Sequence, residues 1–335
     1  MSSMLSTSRG PSPKRPLSAL SGSASFDPSD ATHAADQHPV LTKGRVAVVT
    51  GAAGGIGSAA ARAFAALGMK VALADLPSSS TQLDALRKEL CAVVGEANVL
   101  VVPTDVAVFD DVCRLRDKVY EAWSEVAVLL NNAGIGGAQD GKRGTSWDGL
   151  EAWRRVFDVN LFGIVNVQQA FVPAMLHQEN PAMVINTGSK QGITNPPGNA
   201  AYNASKAAVK SLTEGLAHDL RSQPEAPVTA HLFVPGWTFT GMTGATANAA
   251  KPAGAWSPDE TVKYMLTRVA RGEFYVLCPD NETTPEVDQL RIMWGAADAA
   301  QGRPALSRWH RDYKALFEEY MREGQALAAD GALGK

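Results

Sequence analysis

The sequence predicts an α/β fold: a doubly wound, seven-stranded parallel sheet with helices on both faces. Two observations predict it. Short, continuously apolar runs alternate with helical stretches along one unbroken part of the chain, and such runs are typical of parallel strands buried on both faces. The chain has 335 residues, of which 45% are hydrophobic, so it is long enough to bury the core of one large domain.

Seven runs are predicted to be strands because each is short, apolar and bounded by polar or turn residues. They are Arg45–Thr50, Lys70–Asp75, Asn98–Pro103, Val126–Asn131, Ala182–Thr187, Val228–Val234 and Glu273–Cys278. The predicted helices between them are Ile56–Leu67, Phe109–Trp123, Gly149–Gln178, Ala200–Ser222 and Pro258–Arg271. Two more helices, at about Pro285–Asp298 and Trp309–Gln325, follow the last strand. We therefore divide the chain into a tail at 1–40, one domain at 41–282 and a helical extension at 283–335 packed on that domain.

The N-terminal tail is rich in Ser, Pro and Gly and has no acidic residue before Asp27. It cannot bury enough apolar surface to offset the entropy of ordering it, so we expect it to be disordered. A mitochondrial or plastid presequence has a similar basic, Ser-rich composition. Three prolines, Pro11, Pro13 and Pro16, would interrupt the amphipathic helix of such a presequence. A plain tail and a cytoplasmic location are therefore favoured, with organellar import as the alternative.

Composition excludes several classes of protein. Lys and Arg number 31 against 34 Asp and Glu, a formal charge of −3, which argues against a protein that holds nucleic acid by neutralising phosphates. No run approaches the roughly 20 apolar residues of a membrane span. The three cysteines, Cys91, Cys113 and Cys278, lie far apart, without the spacing of a metal or disulfide site. We expect no bound metal.

A glycine-rich loop, Thr50–Gly57, lies between the first predicted strand and the first helix. A dinucleotide pyrophosphate needs backbone N–H groups and a helix N-terminus there, with no Cβ in the way. Gly51 would permit the tight turn, Gly55 the close approach of the phosphates, and Gly57 the contact between helix and strand. The alternative is an ordinary glycine-rich loop.

Asp75 ends the second predicted strand, 18 residues after Gly57. In dinucleotide-binding folds, an acid about 20 residues after the glycine loop binds the adenosine ribose. A carboxylate at this point accepts both ribose hydroxyls and repels a 2′-phosphate, so NAD is favoured and NADP is the alternative. No Arg or Lys follows Asp75 to compensate a phosphate charge. A solvated acid at a strand end is the other interpretation.

Several short motifs follow one another along the domain. They are Thr50–Gly57, Asp105-Val106, Asn131–Gly134, Asn160, Ser189, Tyr202–Lys206, and Pro235-Gly236 followed by Thr240. In this order, over about Lys43–Cys278, the chain resembles the short-chain dehydrogenase/reductase family in its single-domain branch. The resemblance implies a Rossmann-type fold and an enzyme, commonly a homo-oligomer, that interconverts a secondary alcohol and a ketone with a nicotinamide cofactor.

The resemblance also implies which residues contact the cofactor. Asp105 would contact the adenine amino group, although an acid capping the next helix is the alternative. The Thr240 hydroxyl would hydrogen-bond the carboxamide of the nicotinamide, and Thr238 is a weaker candidate for the same contact. The full set of expected cofactor-binding residues is Gly51, Gly55, Ile56, Gly57, Asp75, Asp105, Val106, Asn132, Tyr202, Lys206, Thr238 and Thr240.

The expected reaction centre consists of Ser189, Tyr202, Lys206 and Asn160. Oxidising an alcohol requires removal of its hydroxyl proton, and a free tyrosine, with a pKa of about 10, is a poor base at neutral pH. Lys206 stands at i+4 from Tyr202, on the same helix face, where an ammonium would lower the tyrosine pKa. Ser189 can hydrogen-bond the substrate oxygen. By resemblance, Asn160 holds a water that links Lys206 to solvent; a solvent-facing Asn is the alternative.

Three points allow more than one interpretation. Lys190 follows Ser189 where small residues are common, and we expect it to face water rather than the substrate pocket. Trp147, Met242 and Trp256 near the site favour a small apolar substrate, though core packing explains them equally well. A non-catalytic NAD-binding sensor or subunit, and an epimerase of the extended branch, are the competing functions.

Overall fold

The computed structural model describes residues 38–136, 146–223, 227–246 and 249–329. Two parts of the predictions lie outside these residues. They are the tail up to residue 37 and the last six residues of the extension (330–335).

Seven parallel strands form one sheet in the order β3-β2-β1-β4-β5-β6-β7. They are β1 (Val46–Thr50), β2 (Lys70–Asp75), β3 (Val99–Pro103), β4 (Val128–Asn131), β5 (Ala182–Thr187), β6 (Val228–Val234) and β7 (Tyr275–Leu277). The strand order reverses direction between β1 and β4, and ligands of such sheets bind at the carboxyl ends of the strands beside this reversal. The predicted fold class is confirmed.

Helices cover both faces of the sheet. Those on one face are α1 (Gly55–Ala66), α2 (Ser80–Val94) and α8 (Pro258–Val269), which share one apolar cluster. Those on the other face are α3 (Phe109–Trp123), α5 (Gly163–Met175) and α7 (Ala200–Arg221), which share a second cluster. The remaining helices are α4 (Leu150–Phe157), α6 (Gln191–Thr194), α9 (Pro285–Gln301) and α10 (Lys314–Ala329). Burial on both faces explains why the central strands are apolar at every position.

Beyond shifts of a few residues at their ends, the helices differ from the predicted ones in four places. The short helix α6 was not predicted. Helix α2 was not predicted, because it follows the loop-like run of serines after Pro77 and only Leu83, Leu86 and Leu90 of it are buried. The long helix predicted over 149–178 is interrupted by a π-helical turn at Asp158–Phe162. The last helix begins later than predicted, since a separate 3₁₀ turn, Ser307–Trp309, precedes it.

The two ends of the described chain are both packed. Val40 and Leu41 are 4% and 0% exposed and join the cluster beneath α1. Helices α9 and α10 pack on each other, and the Trp294 ring of α9 meets Phe317 of α10 edge to face and Tyr320 at a tilt. None of the described helices combines the length and apolarity needed to cross a bilayer.

Candidate active site

A cleft of about 1010 Å³ lies at the carboxyl ends of the central strands. Most of the predicted site residues line it: Gly51, Gly55, Ile56, Asp75, Asp105, Val106, Asn132, Ser189, Tyr202, Lys206, Thr238 and Thr240. Gly57 and Asn160 are not among the lining residues. Both stand behind the cleft wall, and each contacts residues that form it.

The glycine loop is shaped by close backbone contacts. Gly51 has φ +67°, and a Cβ there would lie 2.8 Å from the Cα of Ala133. A Cβ on Gly57 would overlap the carbonyl oxygen of Gly51. By contrast, a Cβ on Gly54 would meet no atom within 4 Å, because this part of the loop faces the open cleft. The loop thus presents bare backbone at the N-terminus of α1, which is the arrangement that a pyrophosphate requires.

Asn132 joins the loop to the end of β4. Its side-chain amide donates to the carbonyl oxygens of Thr50 and Gly51, at 3.2 and 3.3 Å. The Thr50 hydroxyl oxygen in turn accepts from the backbone N–H groups of Asn132 and Ala133, at 3.0 and 3.2 Å. Asn132 therefore supports the cofactor cradle as well as lining it. The Thr50 hydroxyl was not among the groups predicted to form the site.

Asp75 is held at the edge of the cleft by its own hydrogen bonds. Its carboxylate accepts from the backbone N–H of Ala53 at 2.9 Å and of Leu76 at 2.8 Å, and from the Ser79 hydroxyl at 3.3 Å. The bond to Ala53 ties the second strand to the glycine loop. An acid merely solvated at a strand end would make no such contact, so the carboxylate is fixed in position.

Asp105 and Val106 occupy the next strand end. Asp105 does not cap α3: its carboxylate accepts from the backbone N–H of Ala107 at 3.0 Å, and the cap residue of α3 is Val108. Val106 is 7% exposed, and its carbonyl oxygen accepts from the side chain of Asn166 at 2.9 Å. These bonds fix a short loop whose two side chains face the cleft.

Tyr202 and Lys206 project from α7 toward Ser189, which follows β5. The Lys206 ammonium donates to the carbonyl oxygen of Thr187 at 2.8 Å and lies 5.8 Å from the centre of the Tyr202 ring. Burial lowers the pKa of Lys206 to about 8. Burial also raises the pKa of Tyr202, and a hydrogen bond with Ser189 offsets only part of that rise. Burial of the phenol thus acts on the Tyr202 pKa in the direction opposite to the lowering that the sequence led us to expect from Lys206.

Asn160 is fully buried at the centre of the π-helical turn. Its side chain accepts from the backbone N–H of Ile135 at 2.8 Å, donates to the Ile135 carbonyl at 3.0 Å and donates to the Ser205 hydroxyl at 3.1 Å. A Cβ on Gly134 would lie 3.2 Å from the Asn160 carbonyl oxygen and 3.6 Å from the Lys206 nitrogen. Asn160 therefore does not face solvent but lies beside Lys206. A π-helical turn within a longer helix often marks a functional site.

The two threonines after β6 differ. Thr238 is 4% exposed, and its hydroxyl bonds to the Thr261 hydroxyl at 3.0 Å and to the Gly236 carbonyl at 3.3 Å. The methyl group of Thr240 lies against Gly55 of the glycine loop: a Cβ on that glycine would be 3.1 Å away. Of the two threonines, Thr240 is thus the one that brings the turn after β6 into contact with the glycine loop.

Two expectations about neighbouring residues need correction. Lys190 does not face water: it is 17% exposed, and its ammonium lies 2.6 Å from the Asp288 carboxylate. Trp256 does not reach the cleft, because its indole N–H donates to Asn281 at 3.0 Å and its ring packs on Tyr264. Met242 does line the cleft, with 53% of its surface exposed. Trp147, 84% exposed, does not line it.

Across the described residues, no group of three or more His, Cys, Asp or Glu side chains is placed to hold a metal ion. The functional groups that line the cleft belong to its glycine cradle, its carboxylates and the trio of Ser189, Tyr202 and Lys206.

Comparisons with known proteins agree with this geometry. The short chain dehydrogenase family model matches residues 45–251. A 3-oxoacyl-[acyl-carrier-protein] reductase of Synechocystis is 39% identical over 201 residues, which cover 59% of this chain and 76% of the relative. A 1-deoxy-11-beta-hydroxypentalenate dehydrogenase of Streptomyces exfoliatus is 32% identical over 273 residues, covering 79% and 94%.

A solved structure shares both the fold and a nicotinamide ligand. It is a short-chain dehydrogenase/reductase from Burkholderia phymatum in complex with NAD, with 32% identity and a TM-score of 0.68, covering 78% of this chain and 96% of that one. The motifs, the sheet order, the cradle and these matches converge on one conclusion: the chain belongs to the short-chain dehydrogenase/reductase family of oxidoreductases.

Proposed function

We propose that this protein is an NAD-dependent oxidoreductase that interconverts a secondary alcohol and a ketone on a small, largely apolar substrate. One observation carries the proposal: Ser189, Tyr202 and Lys206 line the same cleft as a glycine cradle that leaves room for a pyrophosphate. A protein that only binds the dinucleotide has no chemical need for this trio beside the cradle.

The residues present fit a nicotinamide dinucleotide. Gly51, Gly55, Ile56 and Gly57 would cradle the pyrophosphate. Asp75 would accept the ribose hydroxyls, and its fixed negative charge supports NAD rather than NADP because it repels a 2′-phosphate. The adenosine side of the dinucleotide would contact Asp105, Val106 and Asn132. Its nicotinamide side would contact Thr240, with Thr238 behind it. When bound, the nicotinamide supplies or accepts the hydride.

The chain's own residues would move the proton. The Tyr202 hydroxyl exchanges a proton with the substrate oxygen, and the Ser189 hydroxyl holds that oxygen and stabilises its developing charge. Lys206, with its pKa lowered to about 8 by burial, is poised near neutral pH to stabilise the phenolate. Asn160 positions the peptide of Ile135 and lies beside Lys206, where it would hold the water that connects the lysine to solvent.

The cleft supports an apolar substrate. Ile135, Trp237 and Met242 line it near the reaction centre, with Trp237 and Met242 37% and 53% exposed. Such exposed apolar side chains at a cleft rim gain most from covering an apolar ligand. The activities named for the two relatives differ in substrate, so we commit to the class of reaction and to an apolar alcohol or ketone.

The direct experiment is an absorbance screen of secondary alcohols and ketones with NAD(H) and NADP(H) in parallel. We expect turnover of apolar members of the panel, with NAD preferred. Tight NADH binding without turnover across the panel would overturn the proposed activity and favour a non-catalytic sensor or subunit. A preference for NADP would overturn the role given to Asp75 while leaving the reaction class intact.

A further inference from the structure

A buried ion cluster connects the residue after Ser189 to the C-terminal extension. The Lys190 side chain lines the cleft, and its ammonium lies 2.6 Å from the Asp288 carboxylate of α9 and 3.5 Å from the Asp280 carboxylate after β7. The lysine side chain is 17% exposed and each acid 6%. Neither acid belongs to the motifs from which the site was predicted.

Asp280 connects the cluster to a second part of the site. One of its oxygens accepts from the backbone N–H of Trp237 at 3.0 Å. The other accepts from the N–H groups of Glu282 and Thr283, at 3.1 and 2.8 Å. Trp237 lies in the turn after β6 that leads to Thr238 and Thr240. The same carboxylate therefore contacts both the lysine beside Ser189 and the turn proposed to contact the nicotinamide.

Asp288 is held by a well-anchored helix. Helix α9 begins with the Thr284 hydroxyl accepting from the N–H of Val287 at 3.4 Å. Toward its other end, the indole N–H of Trp294 donates to the Ser307 hydroxyl at 2.8 Å, and the Asp298 carboxylate accepts from the Ser307 N–H at 3.0 Å. These bonds fix α9 against the loop that follows it, so Asp288 offers Lys190 a partner of defined position.

The energetics of buried ion pairs favour a positioning role over a stabilising one. Removing two charges from water is costly, and their attraction often does no more than offset this cost. Lys190, with one ammonium between two carboxylates, therefore adds little net stability. It does tie the backbone after Ser189 to α9 and to the loop after β7, because moving the ammonium away would leave the buried carboxylates without this counter-charge.

We propose that Lys190 is a positioning residue of the active site and that the C-terminal extension is part of that site through Asp288. The Lys190–Asp288 pair holds Ser189 at its place in the cleft. The contact of Lys190 with Asp280 fixes the turn at Trp237 relative to Ser189. The inference rests on the proposed function, since it concerns the residues assigned to that reaction.

The test compares Asp288→Asn and Lys190→Met with Arg45→Met as the matched control. Arg45 forms a comparably buried pair with Glu125, at 2.9 Å, whose side chains are 13% and 16% exposed. It lies just before β1, at the amino ends of the strands and away from the cleft. For the two test variants we expect kcat to fall roughly tenfold or more, because a misplacement of about 1 Å at a reaction centre costs up to about 100-fold. Lys190→Arg, which keeps the charge, should retain more activity than Lys190→Met. Arg45→Met should lower the melting temperature without changing kcat.

Amide hydrogen exchange supplies a readout that does not depend on turnover. In Asp288→Asn and Lys190→Met we expect faster exchange at residues 189–194 and at 237–240, and unchanged exchange there in Arg45→Met. If exchange at both segments and kcat match the wild type while only thermal stability falls, the positioning role is wrong. If the wild-type protein turns over no substrate, the proposed function fails, and the exchange result alone decides whether the extension holds these segments.

Discussion

The ammonium of Lys206 donates a hydrogen bond to the carbonyl oxygen of Thr187 at 2.8 Å. This bond connects the middle of α7 to the last residue of β5, two positions before Ser189. Lys206 is 3% exposed, so the bond places a cation where water cannot solvate it. The same lysine therefore aligns the helix that carries Tyr202 with the strand end that carries Ser189, and its charge depends on pH near neutrality.

Stability should report the titration of Lys206. Burial lowers its pKa to about 8 from the usual 10.5 of a lysine, so the folded protein loses this proton at a lower pH than the unfolded chain. The cost of burying the charge is fully present below pH 8 and is relieved as pH rises from about 8 to 10.5. Over this window the free energy of unfolding of the wild type, relative to Lys206→Met, should rise by up to about 1.4 kcal/mol per pH unit. Denaturant titrations of both proteins measure it, and a difference that is flat with pH would contradict the assigned burial.

Cofactor choice should depend on Asp75. Replacing it with Ser removes the charge that repels a 2′-phosphate, so the ratio of the NADPH and NADH dissociation constants should shift toward NADPH by about tenfold or more, which corresponds to roughly 1.4 kcal/mol. Fluorescence titration with the two reduced cofactors measures the ratio. Asp84→Ser, an exposed acid on α2 outside the cleft, is the control and should leave the ratio unchanged. An unchanged ratio in Asp75→Ser would show that the carboxylate does not meet the ribose.

The glycine cradle should reject a single methyl group at Gly57. A Cβ there overlaps the Gly51 carbonyl, so Gly57→Ala should cost about 1–3 kcal/mol of stability and weaken NADH binding. Gly295→Ala is the matched control, because Gly295 is an exposed position within α9 where a Cβ meets no atom within 4 Å. That variant should gain about 0.5–1 kcal/mol. Chemical denaturation compares the two, and equal effects would contradict the close contact.

The sheet was predictable from the sequence because every central strand is buried on both faces. Ala182–Thr187 and Val228–Val234 have the predicted bounds, and all but one of their residues are buried. Helix α2 was missed because only Leu83, Leu86 and Leu90 of it reach the core. A narrow apolar stripe in a polar segment gives a weak helical signal.

The site was predictable only where short-range patterns determine it. The glycine loop and the i+4 pair of Tyr202 and Lys206 are local in sequence, and the structure brings them to one cleft. Lys190 was wrongly expected to face water, because its partners Asp280 and Asp288 lie in segments that no motif connects to it. The rise in the Tyr202 pKa likewise depends on burial, which sequence spacing does not reveal.

The proton-transfer role of Tyr202 is the central claim, and Tyr202→Phe tests it most directly. The variant keeps the ring and removes the hydroxyl. We therefore expect NADH binding and thermal stability close to those of the wild type, with the rate of alcohol oxidation reduced by about 100-fold or more. The decisive measurement is the single-turnover rate of nicotinamide reduction with an alcohol that the wild type oxidises. A folded, NADH-binding Tyr202→Phe protein that reduces the cofactor at the wild-type rate would contradict the account.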